Sequence, residues 1–315
     1  MKKALLFVVL AMMLSITTAA FAADSYTIAF IAMDSMDQHW LKVKAGAEEA
    51  TAELVAEGHD VKFVFDAPST KVDAVVQASL VENQITNKAD AIMVAPMDAE
   101  ALVPAIEAVY DAGIPTILID TLANTKKFQV IYQTDNGAAA RTAAQELGKL
   151  LDGKGKIAII NAQAGSQTTM TRENEFRDEL GTAFPDIEIV GVQYSDGDKQ
   201  KALNYAEDFM ISYPDLAGFY ACNEGSTVGT GNAVDQAGKA GEVIVVGFDF
   251  SEEVKDLVDR EVIQATMVQN PWTMGYEGIK AAWKLINGEK IADEEAFVVD
   301  TGVTVATKEN LAEIK

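Results

Sequence analysis

Short β-rich runs alternate with stretches of helical period along this whole chain, and a polar residue stands directly after most of the runs. The first half has strand candidates at 26–33, 61–65, 91–95 and 116–119, and the second half at 156–160, 188–192, 217–221, 243–248 and 264–268. Between them lie helical stretches over 40–56 and over 72–87, the latter with Val72, Val75, Val76 and Leu80 on one face. Another is capped by Asp98 and ends at Gly113. Apolar runs such as Ile244-Val245-Val246 suit strands covered on both faces, which predicts parallel sheets. Regular alternation of this kind means α/β units with right-handed crossovers. Two sheets, one per half, fit the 315 residues better than one sheet of about ten strands or more. No low-complexity linker parts the halves, and the break near Gln133-Thr134-Asp135 is only a short crossover.

The residues at the strand ends carry the functional signal. Asp34 follows the first strand, Asp66 the second, Pro96-Met97-Asp98 the third and Asp120 the fourth. In the second half Asn161, Asn223 and Asp249 hold the same kind of place. Open parallel sheets bind ligands outside the carboxyl ends of their strands. Any one such Asp or Asn is explained as a helix N-cap, but their repetition points to a small polar ligand.

The chain starts Met1-Lys2-Lys3, continues with an apolar run from Ala4 to Leu14 and reaches Ala20-Phe21-Ala22. That is the pattern of a cleavable secretory signal over 1–22, too short and wrongly flanked for a membrane span. The expected address is the periplasm, without membrane insertion. A formal net charge of −23 disfavours nucleic acid and anionic lipid as partners. Cys222 is the only cysteine, so no internal disulfide forms, and its apolar strand predicts an inert core thiol. With one cysteine and two histidines, a zinc site of ordinary ligands is not expected.

Three stretches make the chain recognisable: Asn223-Glu224-Gly225-Ser226-Thr227-Val228-Gly229, Val245-Val246-Gly247-Phe248-Asp249, and Gln269-Asn270-Pro271-Trp272 with Met274-Gly275-Tyr276. In these, and in the spacing from Asp249 to Gln269, it resembles the periplasmic sugar-binding proteins of the ribose-binding type, relatives of the ligand-binding core of the lac repressor. The resemblance covers essentially all of the chain after the signal. It implies the type I periplasmic binding protein fold: two doubly wound parallel-sheet lobes joined by a three-segment hinge at Thr134-Asp135, Gln269-Asn270 and Asp300-Thr301. The lobes would be 23–134 plus 270–299 and 135–269 plus 300–315. Asp120 lies where the family places an acid that takes paired hydrogen bonds from neighbouring hydroxyls, and Arg172 matches its ligand-binding arginine. Asn223, Asp249 and Gln269 match other polar contacts. In the first loop, Asp34, Asp37 and His39 join the expected site, and Trp40 stands where a ring covers a sugar's C–H face.

Departures from the pattern matter as well. Typical ribose binders carry an arginine directly after the acid of the fourth strand, where this chain has Thr121. Their first-loop asparagine is Asp37 here, and one of their paired aromatics is His39. The site loses a cation and gains acid, so the expected ligand is a neutral pentose, hexose or polyol other than ribose, with a cationic amino sugar as the variant. The resemblance further implies delivery to the permease of an ABC-type importer, or signalling through a chemoreceptor or sensor kinase. Catalysis is not expected, and no cofactor. Gly225, Gly229 and Gly231 have the wrong spacing for a phosphate-cradling turn, and there is no G-x-S-x-G elbow.

Overall fold

β-Branched and aliphatic runs build two sheets of the same plan. The first holds β1 (Tyr26–Ile31), β2 (Val61–Asp66), β3 (Ala91–Val94), β4 (Thr116–Ile119), β5 (Val130–Gln133) and β11 (Phe297–Asp300), in the order β11-β5-β4-β3-β1-β2. The second holds β6 (Lys154–Asn161), β7 (Asp186–Tyr194), β8 (Leu216–Ala221), β9 (Ile244–Phe248), β10 (Ala265–Gln269) and β12 (Val303–Ala306), in the order β12-β10-β9-β8-β6-β7. This computed structural model describes residues 25–69 and 73–314. The expected signal segment 1–22 and Val72 lie outside the described residues.

Helices cover both faces of each sheet, as fully apolar strands require. On the first sheet α1 (Gln38–Ala56) and α9 (Pro271–Ile286) enclose one core with Phe30, Met93 and Ile119. On its other face, α2 (Ala74–Thr86) and α3 (Val103–Asp111) enclose a second with Ile31, Val94 and Leu118. The second sheet packs α4 (Asn136–Leu150) and α5 (Gln167–Ala183) on one face. On the other lie α6 (Lys199–Ser212), α7 (Glu224–Gln236) and α8 (Glu252–Asp259). α1 and α9 meet backbone to backbone: a Cβ on Gly46 would lie 2.0 Å from the Trp272 carbonyl oxygen, and one on Gly275 1.9 Å from that of Val43.

The chain passes between the sheets three times, and the passages are bonded to one another. Asp135 N–H donates to Asp300 Oδ1 at 3.0 Å, Thr301 N–H to the Gln133 carbonyl at 2.8 Å, and Asn270 Nδ2 to the Thr301 carbonyl at 2.6 Å. These are the three expected hinge segments, drawn together at one side of the cleft.

Several expectations need correcting. β5, β11 and β12 were not among the strands expected, and β12 runs antiparallel to β10 at the edge of an otherwise parallel sheet. Val75 and Val76 do not face the core; they are 78% and 41% exposed, and Leu80 is half-buried. The buried positions of α2 are Gln77, Val81 and Gln84. Gln77 is fully enclosed because its amide ties the sheet's strand ends together. Its Nε2 donates to the carbonyls of Ala32 and Ala95 at 2.9 and 2.7 Å, and its Oε1 accepts from Met97 N–H at 3.0 Å. Asp98 accepts from the N–H groups of Glu100 and Ala101, but it caps a turn; α3 begins only at Val103.

Cys222 is fully buried beyond β8, and burial pushes its thiol far above the ordinary range. Native protein is therefore expected to stay unlabelled by a disulfide reagent that reacts within minutes once the protein is denatured. Rapid labelling of the folded protein would place Cys222 at the surface instead.

Candidate functional site

A residue just past β4 and its counterpart just past β9 anchor the site. Asp120 and Asp249 occupy equivalent places in the two sheets, and each takes a left-handed backbone, with φ of 66° and 72°. Each N–H donates back into the next strand, to the carbonyls of Tyr132 at 2.7 Å and Met267 at 2.9 Å. Asp tolerates this region better than most residues, and the turn aims each carboxylate out beyond the strand ends. The two face one cavity of about 80 Å³ between the sheets.

All nine residues expected from sequence line that cavity: Asp34, Asp37, His39, Trp40, Asp120, Arg172, Asn223, Asp249 and Gln269. Their bonding differs. Asp34 Oδ1 accepts from the N–H groups of Met36 and Asp37, both at 2.8 Å, so it shapes the first loop. Asp37 caps α1, accepting from His39 N–H at 2.9 Å. Asn223 caps α7, its Oδ1 accepting from Ser226 N–H at 3.1 Å. Asp249 Oδ2 accepts from Glu224 N–H at 2.8 Å and its Oδ1 from Gln269 Nε2 at 2.6 Å. Of the polar residues after strands, Asp66, Asp98 and Asn161 do not line the cavity. Asn161 instead donates to Glu173 Oε2 at 2.7 Å.

Arg172 is almost wholly buried on α5. Its Nε donates to Asn136 Oδ1 and its Nη1 to the Cys222 carbonyl, both at 2.8 Å, while the guanidinium lies 4.1 Å over the Phe248 ring. Asn136 in turn donates to the Thr134 carbonyl at 3.0 Å, which links the arginine to the first crossover. Nη2 keeps no hydrogen-bond partner, and the same holds for Gln269 Oε1 and Asp120 Oδ1.

His39 lies between the two anchor acids. Its Nε2 is 3.3 Å from Asp120 Oδ1, within ion-pair range but off the line of a hydrogen bond, and its Nδ1 is 3.8 Å from Asp249 Oδ1. The Trp40 ring stands edge-on to it, with centroids 4.7 Å apart. Burial pushes the imidazolium pKa down, but Asp120, then Asp249 and Asp37, outweigh it and hold it at about 9. Burial likewise raises Asp120, yet His39 and then Arg172 keep its carboxyl below the ordinary range. Burial and the charge of Glu224 push Asp37 up to about 7 against the pull of His39.

A histidine raised from 6.5 to about 9 stabilises the fold fully below about pH 6.5, and that contribution is lost as pH climbs through about 9. Asp37, raised from 3.8 to about 7, loses stability over a lower window as it ionises. Between pH 7 and 9 the melting temperature of the ligand-free protein is therefore expected to fall, and His39→Gln to flatten that stretch. A variant that keeps the full slope would show that another group titrates there.

Met97, from the end of the third strand, also lines it, and further lining residues come from places without a strand-end signal: Met33, Gln163, Ser166, Thr168 and Thr169. The last three open α5, where Ser166 is the N-cap and Thr168 stands one turn before Arg172, on the same face. That spacing was the available clue. Trp272 is not part of the lining; it is 39% exposed and stacks on Tyr276. Trp283 packs against Tyr26 and His59. The sheets' elements also touch across the cleft, where Lys42 Nζ donates to the Phe250 carbonyl at 2.8 Å and Ala99 N–H to that of Gly165 at 3.2 Å.

Comparison with known proteins bears on this geometry. A family profile described as a periplasmic binding protein domain matches residues 28–290. The chain is 29% identical to a D-ribose/D-allose-binding protein of Pseudomonas aeruginosa, over 89% of this chain and 88% of the relative. It is 30% identical to the D-allose-binding periplasmic protein of Escherichia coli, over 88% of each. An ABC transporter solute-binding protein from Agrobacterium vitis, solved with bound D-fucose, superposes with a TM-score of 0.85 at 33% identity, covering 90% of this chain and 96% of that one.

Proposed function

This chain belongs to the periplasmic binding protein family, and from that premise we propose that its cavity holds one pentose, hexose or polyol through the nine residues that line it. The role is that of a solute-binding protein: a small carbohydrate is captured between two α/β lobes for an ABC-type importer. Residues 1–22 serve as the export signal, and the closed, sugar-loaded form is what the permease subunits receive. The moving bodies are 23–134 plus 270–299 and 135–269 plus 300–315, hinged where the three passages are bonded together.

One observation carries this reading. Asp120 Oδ1, Arg172 Nη2 and Gln269 Oε1 are buried without hydrogen-bond partners on residues that line the same cavity. A buried polar atom left unpaired costs about 1–3 kcal/mol, and a sugar's hydroxyls supply both the donors and the acceptors these atoms lack. The Trp40 ring offers apolar surface for the C–H face. Sugar contacts made to both lobes shift the population toward the closed form.

A thermal-shift screen of residues 23–315 against pentoses, hexoses and polyols tests this. A ligand at a hundred times its dissociation constant adds about 2.7 kcal/mol, raising the melting temperature by several degrees. Silence across the whole panel would mean that the fold has been given another ligand.

A further inference from the structure

The charges around the cavity do not balance, and the imbalance sits on one wall. Its carboxylates are Asp34, Asp37, Asp120, Asp196 and Asp249; its cations are His39 and Arg172. Asp196 is paired with Lys201 Nζ at 2.7 Å, and Glu224, just outside, with Lys199 Nζ at 3.0 Å. His39 lies between Asp120 and Asp249, and Arg172 adds its field to Asp120. That leaves the two acids of the first loop. Asp34 and Asp37 receive only backbone N–H groups, and neither forms an ion pair with a lysine, arginine or histidine among the described residues. Asp37 also feels the charge of Glu224 from the opposite lobe, and the two line a common groove at the mouth of the cleft.

A second observation shows that this wall belongs to a ligand site. In the same cavity Asp120 and Gln269, each only 5% exposed, present acceptor oxygens without a donor. Hydroxyl donors would satisfy those two atoms, but they would leave the first-loop charge unmatched. A protonated amine would match it, because an ammonium group gives a carboxylate charge-assisted hydrogen bonds and cancels its charge in a site shielded from water.

Resting on the carbohydrate reading above, we propose that the preferred ligand is an aminated carbohydrate, an amino sugar or aminated polyol, whose ammonium group sits against Asp34 and Asp37. The raised proton affinity of Asp37 accords with this: partial burial and the charges of Glu224 and Asp249 outweigh the pull of His39, so the first loop still has room for a further cation. Asp120, Arg172 and Gln269 then take the hydroxyls, and the amine selects among sugars of equal size.

The test is titration calorimetry at pH 7 with matched pairs: glucose and glucosamine, galactose and galactosamine, mannose and mannosamine, and a cyclitol with its amino derivative. At least one amine is expected to bind about tenfold or more tighter than its own neutral parent. Asp37→Asn, which keeps a good helix cap, is expected to shrink that ratio several-fold. If neutral sugars bind and no amine surpasses its parent, the amine preference is overturned while the carbohydrate reading stands. If no compound of either kind binds, both fall. An unchanged ratio in Asp37→Asn would overturn the placing of the ammonium against the first loop.

Discussion

Arg172→Ala is expected to raise the dissociation constant for the captured sugar by a factor of about 30 or more. Truncating one partner of a buried, hydrogen-bonded charged contact costs about 2–5 kcal/mol, and each 1.4 kcal/mol is tenfold. The arginine's fork is already oriented by Asn136, the Cys222 carbonyl and the Phe248 ring, so its free Nη2 reaches the cavity with little entropy left to lose. Arg172→Lys should recover only part of the affinity, because a lysine keeps the charge but cannot make the planar contacts. Titration calorimetry of both variants measures this, with a melting curve of the ligand-free variants to confirm that they fold. The alanine variant should also melt lower, since it leaves Asn136 and the Cys222 carbonyl unpaired inside the protein. Wild-type affinity in Arg172→Ala would remove this residue from the site.

The second large effect concerns stability alone. Gly275→Ala puts a methyl group where the Val43 carbonyl oxygen lies 1.9 Å away, and both partners are helix backbone. Neither can move without parting α1 from α9, the helix that brings the chain back to the first sheet after its second passage. Overpacking of this kind costs about 1–3 kcal/mol and occasionally more, so the melting temperature should fall by several degrees or more. Gly46→Ala, whose Cβ meets the Trp272 carbonyl oxygen at 2.0 Å, should behave alike. Thermal denaturation followed by circular dichroism would show it. A Gly275→Ala protein that melts with wild type would mean that the helices separate at no cost.

The strand ends were legible because their physics is local. Fully apolar runs such as those of β4 and β9 announce buried parallel strands, and the turn that follows must put a polar residue at the sheet's edge. The cavity residues at those places, Asp120 and Asp249, could be named from sequence for that reason. β11 and β12 were not legible: each has only four residues and is partly exposed, too short for a two-residue period to stand out from the surrounding loops. The buried face of α2 departs from the valine stripe because two glutamines fill it. Gln77 is interior by virtue of three hydrogen bonds to loops distant in sequence, which no periodicity records. His39 shows the same limit. Its place between two acids from opposite sheets arises from tertiary geometry, and only that geometry reveals a charged imidazole there.

The proposed site holds one carbohydrate between the two sheets through residues from both. The most direct measurement is a crystal structure of residues 23–315 grown with the sugar giving the largest thermal shift. A single sugar is expected in the cavity, with hydroxyls on Asp120 Oδ1, Arg172 Nη2 and Gln269 Oε1 and its C–H face on Trp40. A sugar bound elsewhere on the surface, or within one lobe without touching the other, would contradict it.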